Sequence, residues 1–232
     1  MGEELDPAAR LLWGPPPTAT RGPKAALSLE QIARAGIAIA DADGLAAVSM
    51  QRVAGALDYT KMALYRYVPG KAELVALMAE LAIGAPPEGG SPGWRAALTA
   101  WTHGLAEVFA AHPWLLEATL GPRVLGPAEL GWMERAVAAL DGTPLTGAER
   151  LDTVAVLAGH VRSLAQQTRA ADGESPEARL AAAVGSLVEG HRERFPASAA
   201  AMASVRPEQR DAALDFGLER FLDGLAVLID GR

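Results

Sequence analysis

Ser49-Met50-Gln51-Arg52-Val53-Ala54-Gly55-Ala56-Leu57-Asp58-Tyr59-Thr60-Lys61-Met62-Ala63-Leu64-Tyr65-Arg66-Tyr67-Val68 is the stretch on which the fold turns. Ser49 can cap a helix over Met50–Leu57. Asp58-Tyr59 makes a short break, and Thr60 can cap a second helix from Lys61 to about Val68. Pro69-Gly70 ends that helix, and a further one runs from Lys71 to Ile83. Two short helices across a tight break, the second polar at its start, fit a DNA-reading helix-turn-helix. By length and spacing alone they fit a plain helical hairpin equally well.

Upstream, Ser28 followed by Gln31 is a capping-box pattern. Leu29, Ile32, Ala33, Ile37 and Ala40 then recur at helical spacing until Gly44. Residues 1–27 begin with Glu3, Glu4 and Asp6 and carry a Gly-Pro-Pro-Pro run at 14–17, so they read as a disordered arm. Downstream, the Pro- and Gly-rich stretch from Gly84 to Gly93 reads as a hinge. Longer helices are expected over 92–111, 113–120, 127–140, 147–171, 176–194 and 207–229, several opening on a proline at the first turn. No strand and no internal repeat stand out, and the expected fold class is all-α.

Composition narrows the function. The 232 residues are half hydrophobic and contain no cysteine, which removes disulfides, thiolate zinc sites and cysteine nucleophiles. The N-terminus has no basic start and apolar run, and no stretch is apolar enough for a membrane span, so a cytoplasmic protein is expected. The net charge of −7 is uneven: residues 1–72 carry +1 and residues 73–232 carry −8. A locally basic face can still hold phosphate backbone, because screening keeps the field short-ranged. The four histidines, at 103, 112, 160 and 191, form no His-x-x-x-His or Glu-x-x-His pair. There is no Gly-x-Ser-x-Gly and no Gly-rich phosphate loop after a strand. Neither an enzyme nor a metal site is expected.

The residues from Ser49 to Val68, with Gly70-Lys71-Ala72-Glu73-Leu74, resemble the DNA-binding domain of the tetracycline-repressor (TetR) family. The Leu64-Tyr65-x-Tyr67 core followed by Lys71-x-x-Leu74 is specific to it. The likeness covers residues 28–83 strongly. It continues more weakly through His112-Pro113-Trp114-Leu115 and Leu125-Gly126-Pro127, which look like the tetracycline-repressor-like C-terminal subgroup. Asp58 stands where the family has glycine; aspartate tolerates the left-handed backbone better than most residues. Tyr67 and Val68 replace a usual His and Phe.

The resemblance implies a disordered arm over 1–27, a three-helix DNA-binding domain with a connecting helix over 28–83, and a helical ligand-binding and dimerisation domain over 84–232. It implies a transcriptional repressor that binds palindromic operator DNA as a homodimer and is released by a small apolar or aromatic effector. A DNA-binding regulator without a small ligand is the alternative. A helical protein that has lost DNA binding is a third, opposed by intact Thr60, Lys61, Tyr65 and Lys71.

Thr60, Tyr65, Tyr67 and Lys71 are expected to hold phosphates. Lys61, Met62 and Ala63, with Gln51 from the preceding helix, are expected to read base edges. Arg52 is a phosphate contact or an ion-pair partner. Arg21 and Lys24 suit a minor-groove arm or an ordinary solvated tail. The dimer interface is expected on the 147–171 helix and on the stripe Leu214, Leu218, Phe221, Leu225 and Leu228, with Gly217 and Gly224 allowing close approach. Intramolecular packing of that stripe is the alternative. Trp101, Phe109, Trp114, Met133, His103, His160 and Gln166 are the candidate effector contacts, as aromatic walls with polar groups among them. Arg162 is a further polar group in an otherwise apolar helix. In the family's founding member the ligand arrives with magnesium; no residue pattern here carries that over, and no cofactor is expected.

Overall fold

The computed structural model describes residues 6–14, 27–87, 93–169, 176–205 and 212–232. Among these the chain is helical throughout, without strands. The order is α1 (Pro7–Trp13), α2 (Leu29–Asp43), a single 3-10 turn (Leu45–Ala47), α3 (Met50–Ala56), α4 (Lys61–Leu64) and α5 (Lys71–Ile83). The body follows as α6 (Trp94–Ala111), α7 (Leu115–Ala118), α8 (Pro127–Ala138), α9 (Gly147–Arg169), α10 (Pro176–Gly190), α11 (Pro196–Ser204) and α12 (Ala213–Asp230).

The N-terminal unit forms as its caps dictate. The Ser28 hydroxyl accepts from the Gln31 amide, and the Gln31 side chain accepts from the Ser28 amide, closing the capping box of α2. Ile32, Ala33, Ile39 and Ala40 bury one face of α2 against α5. The two helices approach closely at Gly36: a Cβ there would lie 2.6 Å from the Met78 sulfur. Helix α5 therefore sits in the core of this unit, with Leu74 and Met78 fully buried, while its far end packs on α7 and α8 of the body.

Several elements depart from the sequence expectation. Residues Pro7–Trp13, expected in a disordered arm, form a helix. Asp6 caps it by accepting from the Ala8 amide, Leu11 packs on the core and the helix lies against α5. The Trp13 indole N–H donates to the Leu125 carbonyl at 2.9 Å. Partial burial of Leu11 and Leu12 helps offset the entropy of ordering this segment, a gain that composition does not reveal. Arg21 and Lys24 lie outside the described residues. Helix α4 stops at Leu64, because the next amides tighten to i→i+3 bonds, Arg66 to Ala63 and Tyr67 to Leu64. Helix α10 ends at Gly190 rather than 194, and the unexpected α11 begins on Pro196 at its first turn.

The C-terminal stripe packs within the chain. Leu218 and Leu225 are 2% and 7% exposed within one chain, with Leu222 between them, and Leu214 and Phe221 pack on the same core. Helix α12 lies on α9 and α6. Gly217 makes room for the His160 ring of α9, which a Cβ would approach to 2.4 Å. The large apolar side chains that α12 leaves in solvent are Phe216, Val227 and Leu228, off the buried stripe; α9 exposes Val156.

Candidate DNA-reading head and effector cavity

Helices α3 and α4 pack on each other across the turn at Asp58. Asp58 has φ 58°, the one non-glycine residue with positive φ among those described. That left-handed step lets the Tyr59 amide return to the Ala54 carbonyl at 2.9 Å, which fixes the angle between the helices. Thr60 then caps α4, its hydroxyl accepting from the Ala63 amide at 3.2 Å; the hydroxyl proton stays free to donate.

The core plugs of the head are Val53, Ala54, Leu64 and Val68, all buried. What remains outside is the candidate reading surface. Gln51, Lys61 and Lys71 are exposed, and the Lys61 ammonium stands 5.5 Å from the Tyr65 ring centroid. Met62 is 71% exposed, so it is not a core methionine. Ala63 is half-buried. Tyr65 faces outward, whereas Tyr67, expected on the exposed side, is half-buried against the core, because it lies three residues beyond the buried Leu64 on the same side of the turn. Arg52 pairs with Asp43 at the end of α2 on the open surface. Arg66, which nothing in the sequence singles out, is exposed and has no ion-pair partner among the described residues.

The body forms a cavity of about 310 Å³, partly open to solvent, between α6, α8 and α9, reaching Ile83 at the end of α5. Of the residues that stand out in the sequence, Trp101, Phe109 and Met133 line it, with Trp132 beside them. Trp101 and Trp132 meet edge to face at 5.9 Å, and the Trp101 N–H donates to the Trp132 carbonyl at 2.8 Å. The Trp132 N–H in turn holds the Gly84 carbonyl at 3.1 Å, so this wall is locked to the exit of α5.

The other candidate contacts lie elsewhere. His103 pairs with Asp215 of α12 at 3.2 Å, and His160 Nε2 meets the Leu214 carbonyl at 3.2 Å. Gln166 is exposed. Trp114 is buried at the junction with the DNA-binding unit, where its N–H donates to Asp41 Oδ1 at 2.6 Å. The two histidines and Trp114 thus find their partners on neighbouring helices rather than in the cavity. The polar end of the cavity is made by Thr119, Arg123, Glu129 and Arg162, of which only Arg162 stands out in the sequence. Arg123 and Glu129 form a two-pronged pair.

A second device joins α5 to the body. Glu80 Oε1 accepts from the Ala128 amide at 2.7 Å, in the first turn of α8. A Cβ at Gly126 would lie 1.9 Å from Glu80 Oε2, so any other residue there would displace the carboxyl group from this position. That second oxygen is buried without a partner among the described residues. Burial pushes the Glu80 pKa up, the Ala128 bond pulls it down, and the charge on Glu129 adds to the rise.

A helix-turn-helix head carried on a connecting helix that ends at a cavity in a helical body is the architecture of a DNA-binding regulator. Comparison with known proteins is specific on this point. The family model described as tetracyclin repressor-like, C-terminal domain, matches residues 85–229. The HTH-type transcriptional repressor DrrR1 of Streptomyces coeruleorubidus is 35% identical over 239 residues, covering 96% of this chain and 86% of that protein. The chain belongs to the tetracycline-repressor family of transcriptional regulators, which are DNA-binding proteins. Solved structures share the fold. A TetR regulator of Streptomyces coelicolor, SCO7222, superposes with a TM-score of 0.74 at 22% identity, over 88% of this chain and 99% of that one. ActR of the same organism, in complex with actinorhodin, superposes with a TM-score of 0.73 at 23% identity, over 89% and 98%. Among the described residues no helix is long and apolar enough to cross a membrane.

Proposed function

We propose that the protein is a ligand-responsive transcriptional repressor. It binds a palindromic operator as a homodimer and leaves it when a small aromatic molecule enters the body. The observation that carries the DNA half is the first turn of α4. Met62 and Lys61 stand in solvent at its start while Leu64 holds its other side in the core. An exposed apolar side chain beside a cation suits a major-groove edge, where methionine meets thymine methyl groups and lysine meets guanine acceptors. Thr60, Tyr65 and Lys71 surround that turn as phosphate contacts. Gln51 adds a base contact from α3, and Arg52 can reach the backbone only by sharing its pair with Asp43.

The cavity supports control by a small molecule over a regulator without one, since a closed body would have left no room. Its aromatic walls favour a flat ring system. The name of DrrR1 as a repressor and the actinorhodin complex of ActR point the same way. Release would run through α5, whose end lines the cavity at Ile83, is gripped by Trp132 through Gly84, and is tied to α8 by Glu80. The effector must bind better to the arrangement in which the two heads no longer fit the half-sites. A coupling of about 1–3 kcal/mol releases DNA roughly 5–150-fold. The test is a gel shift on the DNA flanking the gene, with and without polycyclic aromatic ligands that quench tryptophan fluorescence. Quenching without release of DNA removes the switch.

The homodimer needs a surface, and the faces of α9 and α12 left in solvent support placing it there. Phe216 and Val227 are 64% and 75% exposed there. Phe216→Glu is expected to convert a dimer to a monomer in light scattering at micromolar concentration while leaving the helical circular-dichroism signal intact. A variant that stays dimeric places the interface elsewhere.

A further inference from the structure

The charges of the cavity do not balance. Two guanidinium groups, Arg123 and Arg162, face one carboxylate, Glu129. Arg123 and Glu129 satisfy one another. Arg162 has only neutral acceptors: it donates to Thr119 Oγ1 at 2.6 Å and to the Leu116 carbonyl at 3.1 Å. Two of its five N–H groups are thus used, and among the described residues no carboxylate lies within ion-pair distance. The guanidinium also sits 5.4 Å from the Phe109 ring centroid, against the aromatic wall of the same cavity. Burial, and then the like charge of Arg123, pull its pKa down, and the Glu129 carboxylate, already paired with Arg123, offsets this only in part.

A half-buried cation with spare donors, at one end of an aromatic-walled cavity, is a half-made ion pair. We propose that the effector is an aromatic acid, a ring system bearing one ionised carboxylate or acidic phenol, and that Arg162 selects it by binding that group. The inference rests on the reading of this cavity as the effector site. One negative charge fits and two do not, because Glu129 lies in the same wall. The ring system lies between Trp101, Trp132 and Phe109, and the acid supplies the missing partner of Arg162. A neutral aromatic of the same shape keeps the ring contacts but leaves the guanidinium unpaired.

The experiment is a tryptophan-fluorescence titration of the full chain with anthraquinone-2-carboxylate and with its neutral carboxamide. The carboxylate is expected to bind about 10-fold or more tightly than the carboxamide. In Arg162→Gln the carboxylate loses that advantage while the carboxamide binds as before, and Arg162→Lys keeps part of the preference. Equal affinity of the two probes for the native protein, or a preference that survives Arg162→Gln, overturns the proposal and leaves the cavity standing as an effector site. Failure of both probes to bind overturns the cavity reading with it. Should Arg162→Gln lose its helical circular-dichroism signal, the native protein's ratio between the two probes decides alone.

Discussion

Trp114→Ala is expected to lower the unfolding free energy by about 3–5 kcal/mol, measured by urea denaturation. Trp114 is 1% exposed and is among the largest side chains fully buried in the protein. Its indole lies where α7 meets α5 and α9, and its N–H reaches across to Asp41 near the end of α2. Asp41 also takes His112 Nδ1 at 2.8 Å, so one carboxylate clasps both ends of a His-Pro-Trp corner. Truncation opens a cavity at the joint between reading head and body and strips Asp41 of one donor. Trp114→Phe separates the two effects. It keeps most of the volume, so the cost should fall to about 1–3 kcal/mol, the penalty of one unmade charged hydrogen bond. A cost below about 1 kcal/mol for Trp114→Ala would mean that the corner collapses freely and does not brace the joint.

Operator affinity is expected to fall roughly 10³–10⁵-fold between 50 and 200 mM salt, if the dimer makes about 6–10 phosphate contacts. The motive is the placement of Thr60, Tyr65 and Lys71 around the first turn of α4 on an otherwise acidic protein. A chain of net charge −7 gains nothing from diffuse attraction to DNA, so the dependence must come from local contacts at the head. Lys71→Ala should weaken all sequences alike and reduce the salt slope by about one per half-site. Lys61→Ala should instead relax preference at one base pair, worth about 1–3 kcal/mol. Gel shifts across salt concentrations and single-base operator variants measure both. If the two variants behave identically, the division between phosphate and base contacts fails.

The helices of the reading head are largely legible in the amino-acid sequence. Ser28 with Gln31, Ser49 and Thr60 mark helix starts by local chemistry, and α5 runs from Lys71 to Ile83 as the sequence predicts. Capping is a property of a few adjacent residues, so sequence carries it. Asp58 is the instructive case. It stands where the family has glycine, and its φ of 58° adopts the left-handed step that the turn needs. Tyr67 is the counter-example. Three residues beyond the buried Leu64 it shares that side of the turn and is half-buried on the core, which a reading of it as a surface phenol overlooks.

The body is legible only as a set of helices. Periodicity shows that Leu214, Leu218, Phe221 and Leu225 share a face, but a stripe does not name its partner. The same side chains would serve a second chain or the chain's own α9; within one chain Leu218 and Leu225 are buried, while Leu214 and Phe221 are only partly so. The polar residues of the cavity are hidden for a related reason. His103, His160 and Gln166 are conspicuous in apolar helices, while Arg123 and Glu129 sit in and beside a turn where charge is unremarkable. Sequence by itself determined the all-α class, the helix starts and the exposed chemistry of the reading head, because those follow from interactions within one or two helical turns. Tertiary structure alone decided which apolar faces meet, that Pro7–Trp13 is ordered against α5, and that Arg162 ends in the cavity with no ion pair of its own among the described residues. Those depend on contacts tens of residues apart, whose free energies are set by the competition among faces and not by any one of them.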